Sequence, residues 1–229
     1  NAVEQHRTDD SKTTWSMRLA YEVNENINVF AAAATGFKAS SWNLSRYSSP
    51  FSTDKEAIEN AGIAQPNQNY GGRYASPEEA TVYEIGVKAR YSKGAVNITL
   101  FDQTIEGFQS SIFIGTGFVL ANAGKQSTQG IEFDSVYNPT ENWAFTLAGT
   151  FLDPIYDSFQ GASGLTGPVD LSGEKPAGIH EQSITAGVTY NYELNNGAYG
   201  YVRADYLYES EVHLAENVPE SLKREVSTF

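Results

Sequence analysis

A two-residue alternation of apolar and polar side chains runs through most of this chain and limits what it can fold into. In residues 80–91, for example, Tyr83, Ile85 and Val87 alternate with Glu84, Gly86 and Lys88. Successive side chains of a β-strand point to opposite faces, whereas a helix would need a period of 3.6 residues. The sequence therefore predicts about nine strands, the last one incomplete, and no amphipathic helix. The predicted strands cover residues 14–23, 27–37, 80–91, 96–105, 130–137, 143–151, 182–192, 200–208 and 223–229.

Strand length and connection length indicate a membrane barrel, although a soluble sandwich also alternates. A strand of about 12 residues tilted by about 40° rises about 30 Å, which matches the hydrocarbon core of a bilayer. Short links rich in Asn, Gly or Pro alternate strictly with long connections such as 38–79 and 157–181. Outer-membrane barrels show this arrangement, with short periplasmic turns and long extracellular loops. We therefore predict an all-β, antiparallel transmembrane β-barrel segment whose short turns are periplasmic.

Composition and charge argue against several classes of function. The formal net charge of -13 argues against a nucleic-acid partner, because phosphate binding needs a basic face. The chain has no Cys, and its His6, His180 and His213 have no ligand partner at metal-binding spacing. No G-x-S-x-G nucleophile motif occurs. We therefore expect no metal, no cofactor and no enzymatic activity.

Short motifs occur in order along the chain. They comprise a Gly-Phe pair before the first long connection, a Tyr-Glu-x-Gly run in the next strand, an Asn-Ala-Gly link followed by Gly-Ile-Glu, and an Asp-Leu-Ser-Gly run at residues 170–173. The motif positions are Gly36, Phe37, Tyr83, Glu84, Gly86, Asn122, Gly124, Gly130 and Glu132. Together they resemble the C-terminal part of the β-barrel domain of a TonB-dependent outer-membrane receptor, from about Trp15 onward.

The resemblance implies a barrel of about 22 strands whose lumen is filled by a plug. It also implies a receptor in the bacterial outer membrane that imports a scarce nutrient, such as a ferric siderophore, with energy supplied by TonB. The implied partners are the TonB complex through the plug, the small-molecule ligand, and outer-membrane lipid and lipopolysaccharide. We expect residues 1–229 to form one partial barrel domain, with the plug and the closing strands absent, so that the chain is a fragment of a longer protein.

Candidate site residues follow from this orientation. The polar strand face is expected to line the lumen and to contact substrate or plug, although pairing within the wall is the alternative. Its candidates are Arg18, Glu84, Lys88, Arg90, Glu132, Tyr201 and Arg203. Aromatic residues of the outer connections are expected to contact an incoming ligand or to pack the loop on itself. These candidates are Trp42, Tyr47, Tyr70, Tyr74 and Phe159.

Two rival functions stay open at this point. A passive porin would also have long strands, with the 38–79 connection folded inward. A soluble secreted β-sandwich would instead bury Ile85, Val87, Phe145 and Val188 between two stacked sheets. Acidic residues in the outer regions could bridge divalent cations to lipopolysaccharide, or they could be ordinary solvated charge.

Overall fold

A computed structural model describes residues 8–42, 74–113, 118–122, 124–160, 162, 169–213 and 223–228. Nine long strands form one antiparallel sheet in the order β1-β2-β5-β6-β9-β10-β11-β12-β13. Two small two-stranded sheets, β3-β4 and β7-β8, lie in the long connections. The strands are β1 (Ser16–Asn24), β2 (Ile27–Lys38), β3 (Ser41–Trp42), β4 (Tyr74–Ala75), β5 (Glu78–Tyr91), β6 (Gly94–Glu106), β7 (Gln109–Phe113), β8 (Phe118–Asn122), β9 (Lys125–Tyr137), β10 (Trp143–Ser158), β11 (Gln182–Glu193), β12 (Tyr199–His213) and β13 (Lys223–Thr228).

The predicted alternation of short and long connections is confirmed. Short turns join β1 to β2, β5 to β6, β9 to β10 and β11 to β12, all at one end of the sheet. The Asn and Gly residues of these links supply turn chemistry: the Asn24 side chain accepts a hydrogen bond from Asn26 N at 2.9 Å, and Gly197 adopts a φ of 79°. Several strands run further into the outer region than the alternation predicts. β10, for instance, continues to Ser158.

The register places the apolar residues of neighbouring strands on one continuous face. Val87 lies opposite Val29 on one side and Ile98 on the other, and Ile98 lies opposite Phe133. This apolar face is open: Ile85 is 59% exposed and Phe145 40% exposed. Since no second sheet among the described residues covers Ile85 or Phe145, the sandwich alternative is wrong.

Aromatic rings border the apolar face at the short-turn end. Ring contacts with centroid separations of 4.7 to 6.5 Å link the neighbouring members of this row. We call the row the aromatic girdle; in order along the sheet it comprises Tyr91, Tyr137, Phe145, Trp143, Tyr190 and Tyr192. Amphipathic rings favour the headgroup level of a bilayer. From Tyr91 to Tyr83 along β5 the apolar band is about 20 Å high after allowing for strand tilt, close to the height of known barrels.

Aromatic rings also cover glycines on neighbouring strands. Phe30 lies opposite Gly86, and Phe101 lies opposite Gly130. A Cβ on either glycine would meet the ring at 2.5 or 2.6 Å, so the absence of a side chain makes the space that the ring fills. Phe30 interrupts the alternation of β2 because it belongs to the polar face, where this glycine leaves it only 6% exposed.

No helix in the described part of the chain is long and apolar enough to span a bilayer, an observation that does not bear on spans made of strands.

Candidate functional site on the polar face and its outer rim

Five of the seven predicted lumenal residues lie on the polar face of strands β1, β5 and β9. Arg18 lies on β1, Glu84, Lys88 and Arg90 on β5, and Glu132 on β9. The side chains of Glu84, Lys88, Arg90 and Glu132 make no hydrogen bond or ion pair with another described residue. Two cationic and two anionic groups of the wall are therefore not paired with one another. Their charges are available to whatever occupies the space in front of this face.

Arg18 is held in place by the aromatic–glycine packing beneath it. Its guanidinium carbon lies 3.8 Å from the centre of the Phe30 ring, which rests on Gly86. Such stacking holds the planar guanidinium while leaving its N–H groups free to bind a carboxylate. In the same cross-strand row, Glu84 lies two strands away, beyond Ala32.

Arg203 differs from the other candidates because it pairs within the wall. Its Nε lies 2.7 Å from Asp205 Oδ2 and its Nη2 lies 2.7 Å from Asp205 Oδ1, a bidentate ion pair along one strand. Gly187 on β11 makes room for the pair, since a Cβ there would lie 2.8 Å from Asp205 Oδ1. Tyr201, two residues before Arg203, is 70% exposed.

At the long-connection end, two side-chain amides tie neighbouring connections together. Gln109 Nε2 donates to the carbonyls of Ala39 and Ser76, each at 2.9 Å. Asn122 accepts from Ser76 N at 2.7 Å and donates back to Ser76 O at 2.8 Å. We call this arrangement the amide cluster. The amide cluster joins the β2–β5 connection to the β6–β9 connection beyond the outer end of the apolar band.

Residues 2–223 match the family described as "TonB dependent receptor-like, beta-barrel". The chain belongs to this family. TonB-dependent receptors are transport receptors of the bacterial outer membrane rather than enzymes, so the predicted family, fold class and location are confirmed. The polar face of the sheet is accordingly the inner face of a barrel wall, and the apolar face is turned to lipid.

Solved structures of receptors share the fold at low sequence identity. The ferric yersiniabactin uptake receptor FyuA from Yersinia pestis is 14% identical, with a TM-score of 0.66 over 93% of this chain and 28% of that protein. BauA, the ferric preacinetobactin receptor from Acinetobacter baumannii, is 15% identical, with a TM-score of 0.63 over 93% of this chain and 28% of that one. The FrpB iron transporter from Neisseria meningitidis is 17% identical, with a TM-score of 0.55 over 89% and 28%. No curated protein matches by sequence.

The chain thus spans about 28% of the length of these receptors. Its nine-stranded sheet is open in the structure, because β1 pairs with β2 alone and β13 with β12 alone among the described strands.

Several of the predicted motif positions lie where neighbouring strands or connections pack closely together. Gly124 has a φ of 88°, and a Cβ there would lie 1.7 Å from Ser158 O at the end of β10. Gly86 and Gly130 receive Phe30 and Phe101, and Asn122 belongs to the amide cluster. Gly36 faces Ala80 across the β2–β5 pair, next to the Phe37–Glu79 pair. Several motif positions of this receptor barrel thus have a packing or hydrogen-bonding role in its wall and rim.

The Asp-Leu-Ser-Gly motif folds the β10–β11 connection back onto the end of β10. Leu171 N donates to Phe159 O at 2.9 Å, and Gly173 N donates to Tyr156 O at 2.7 Å. Hydrogen bonds from the side chain and then the backbone of Ser172 lower the pKa of Asp170 below its ordinary 3.8. Nearby, a hydrogen bond to Glu181, with the added field of Glu181 and Asp153, raises the pKa of Lys175 above 10.5 against a smaller effect of burial.

The predicted loop aromatics have different surroundings. Trp42 Nε1 donates to Thr8 Oγ1 at 3.1 Å, so the indole is held against the N-terminal segment. Phe159 is 2% exposed and packs edge-on against Tyr156, with ring centroids 4.7 Å apart. Tyr74 lies in β4. Tyr47 and Tyr70 lie outside the described residues.

Gln109 was not predicted from the sequence. It lies in the short strand β7, beyond the alternating pattern, and no motif marks it. Within the described residues, no group of three or more His, Cys, Asp or Glu side chains is placed to hold a metal ion.

Proposed function

We propose that this chain forms part of the barrel wall of an outer-membrane receptor that imports a scarce nutrient, such as a ferric siderophore, with TonB-supplied energy. The match of residues 2–223 to the receptor-barrel family carries the proposal. The ligand class is suggested by the names of the similar structures, which include two ferric siderophore receptors and an iron transporter. Coupling to TonB would run through the plug domain of the complete receptor.

The unpaired charges of the inner face support a contact with an occupant of the lumen. Arg18, Lys88 and Arg90 bring three cations, whereas Glu84 and Glu132 bring two carboxylates. A charged group in a partly enclosed lumen is stabilised most when a partner group forms charge-assisted hydrogen bonds with it. We propose that plug or ligand supplies those partners.

The direct experiment is iron-limited growth of cells in which the gene for the complete receptor is deleted and then restored. Restored growth on a ferric siderophore that disappears when TonB is removed is the expected result. Growth on that source in the deletion strain, or uptake that persists without TonB, would overturn the proposal. A passive porin would give the second of these outcomes.

Matched substitutions test the inner face. Lys88→Gln removes an unpaired lumenal charge and should lower uptake several-fold at unchanged receptor abundance. Lys93→Gln is the control, since Lys93 lies in the β5–β6 turn and donates to Pro139 O at 2.7 Å. Equal uptake by the two variants would argue against a lumenal contact at Lys88.

We further propose that lipopolysaccharide meets the outer rim of the lipid-facing surface. Above the apolar band the residues of this face become polar, with Asp102 accepting from Gln129 at 2.7 Å. Lysines follow at the rim, including Lys125, which lies 3.9 Å from Asp157, and Lys175, which lies 3.6 Å from Asp153. These groups suit the phosphates and bridging cations of the outer leaflet. A calcium-dependent rise in thermal stability would support cation bridging, and an unchanged melting temperature would remove it.

A further inference from the structure

We propose that the amide cluster couples the described bases of the β2–β5 and β6–β9 connections, so that the outer rim presents these bases to a ligand as one rigid platform rather than as two independent segments. The role as a ligand platform rests on the proposed receptor function. The coupling itself does not depend on it and can be measured without any ligand.

Several hydrogen bonds cross between the two connections. Gln109, from the second connection, bonds to Ala39 O and Ser76 O of the first and accepts from Ser41 Oγ. Asn122, also from the second, exchanges two bonds with the backbone of Ser76. Five hydrogen bonds therefore join segments that are remote in sequence.

The two side-chain amide groups are fully hydrogen-bonded. Both N–H groups of Gln109 and its carbonyl oxygen have partners. Both N–H groups of Asn122 are also engaged, the second on Gly107 O at 2.7 Å. Gln109 is only 9% exposed, so breaking one bond would leave a largely buried polar group without a partner. Separating the connections would therefore break several bonds together.

The amide cluster is also attached to the barrel wall. Gln109 N donates to Glu78 Oε1 at 2.5 Å, and Lys38 Nζ donates to the same oxygen at 3.0 Å. Lys38 ends β2 and Glu78 begins β5, so this carboxylate links the cluster to two wall strands. Phe108 N donates to Gly124 O at 3.0 Å and closes the base of the β7–β8 hairpin. The joined connections are thus fixed to the wall.

Gln109 and Asn122 are accordingly positioning residues. They hold the bases of two outer connections at a set distance without themselves needing to touch a ligand.

Hydrogen exchange on the complete receptor, in detergent and without ligand, tests the coupling. Gln109→Leu changes only the β6–β9 connection. The proposal expects amide exchange in residues 39–42 and 74–76, in the other connection, to rise about tenfold or more. Ser41→Ala is the milder reciprocal variant and should raise exchange in residues 107–113.

Gln103→Leu is the matched control, because Gln103 lies on β6 and makes no side-chain hydrogen bond to another described residue. It should leave both connections protected. A rise confined to the substituted connection, or no rise in either, would overturn the coupling. If Gln109→Leu also raises exchange in the wall strands, it destabilises the whole barrel, and Ser41→Ala becomes the test. Unchanged exchange in residues 107–113 of that variant would then overturn the coupling. Loss of siderophore uptake plays no part in this readout, so the receptor proposal and the coupling can fail separately.

Discussion

Single residues explain why this wall tolerates large rings on its inner face. Gly86 and Gly130 each leave a gap that a ring from the neighbouring strand fills, and Arg18 then lies over one of those rings. The sequence predicted both glycines as motif positions, but it gave no physical reason for them. The reason needs the register, because only the pairing of β2 with β5 and of β6 with β9 shows that a phenylalanine lies opposite each glycine.

Gly130→Ala should destabilise the folded barrel by about 1–3 kcal/mol, because the added methyl overpacks the site. Its Cβ would lie 2.6 Å from Phe101 and 2.9 Å from Leu152. A second substitution, Phe101→Leu, should recover part of the loss, with a coupling energy of about 0.5 kcal/mol or more. Urea unfolding in detergent, followed by circular dichroism, gives these energies. Gly36→Ala, where the nearest atom lies at 3.3 Å, is the control, and an equal cost there would contradict the overpacking explanation.

Protonation of Asp170 should make the stability of the base of the β10–β11 connection depend on pH. Its pKa in the folded protein is below 3.8, so its hydrogen bonds with Ser172 contribute stability above that pH. The contribution is lost as the pH falls below 3.8 through the lowered pKa. Ser172→Ala should move the pKa of Asp170 back up toward 3.8, as followed by carbon NMR of the carboxyl group. A pKa that stays low in this variant would show that other groups hold it down.

At the scale of elements, the bilayer is what made the strands predictable. A strand that crosses the bilayer must present apolar side chains to lipid on one of its faces. This requirement produces the alternation from which all nine wall strands were located. β3, β4, β7 and β8 lie outside the band, where no such requirement acts, and they were not predicted. The same argument explains Gln109, whose role depends on contacts with a connection about 30 or more residues away in sequence. Inner-face contacts with plug or ligand stay predictions, because they depend on a second molecule or domain and not on the alternation within the strands.

Adjacent residues on β6 test the assignment of the two faces. Ile98 belongs to the central row of the apolar face, whereas Thr99 points to the inner face. Ile98→Arg should cost about 2–4 kcal/mol in a lipid bilayer, because the charge would lie near the midplane. Thr99→Arg should cost much less. Unfolding in lipid vesicles compares them, and equal costs would mean that both faces meet similar surroundings.

At the scale of the whole molecule, the sheet formed by the described strands has two open edges, and an open edge is a row of unpaired backbone groups. Strands supplied from outside residues 1–229 would satisfy them in a closed barrel. On the edge strand β1, every second N–H points away from β2. In the complete receptor in membranes these amides should exchange as slowly as those bonded to β2. Rapid exchange at all of them would show that β1 remains an edge and that the chain does not form part of a closed barrel.

Tryptophan fluorescence can measure how deep two parts of this chain lie in the bilayer. The chain has three, and two of them, Trp15 and Trp143, are on the lipid-facing surface at opposite ends of the band, 51% and 40% exposed. Trp42 lies instead in the rim, bonded to Thr8. Lipids brominated near the headgroup should therefore quench the emission of the first two and spare the third, and bromines placed along the acyl chain would report how deep each ring lies.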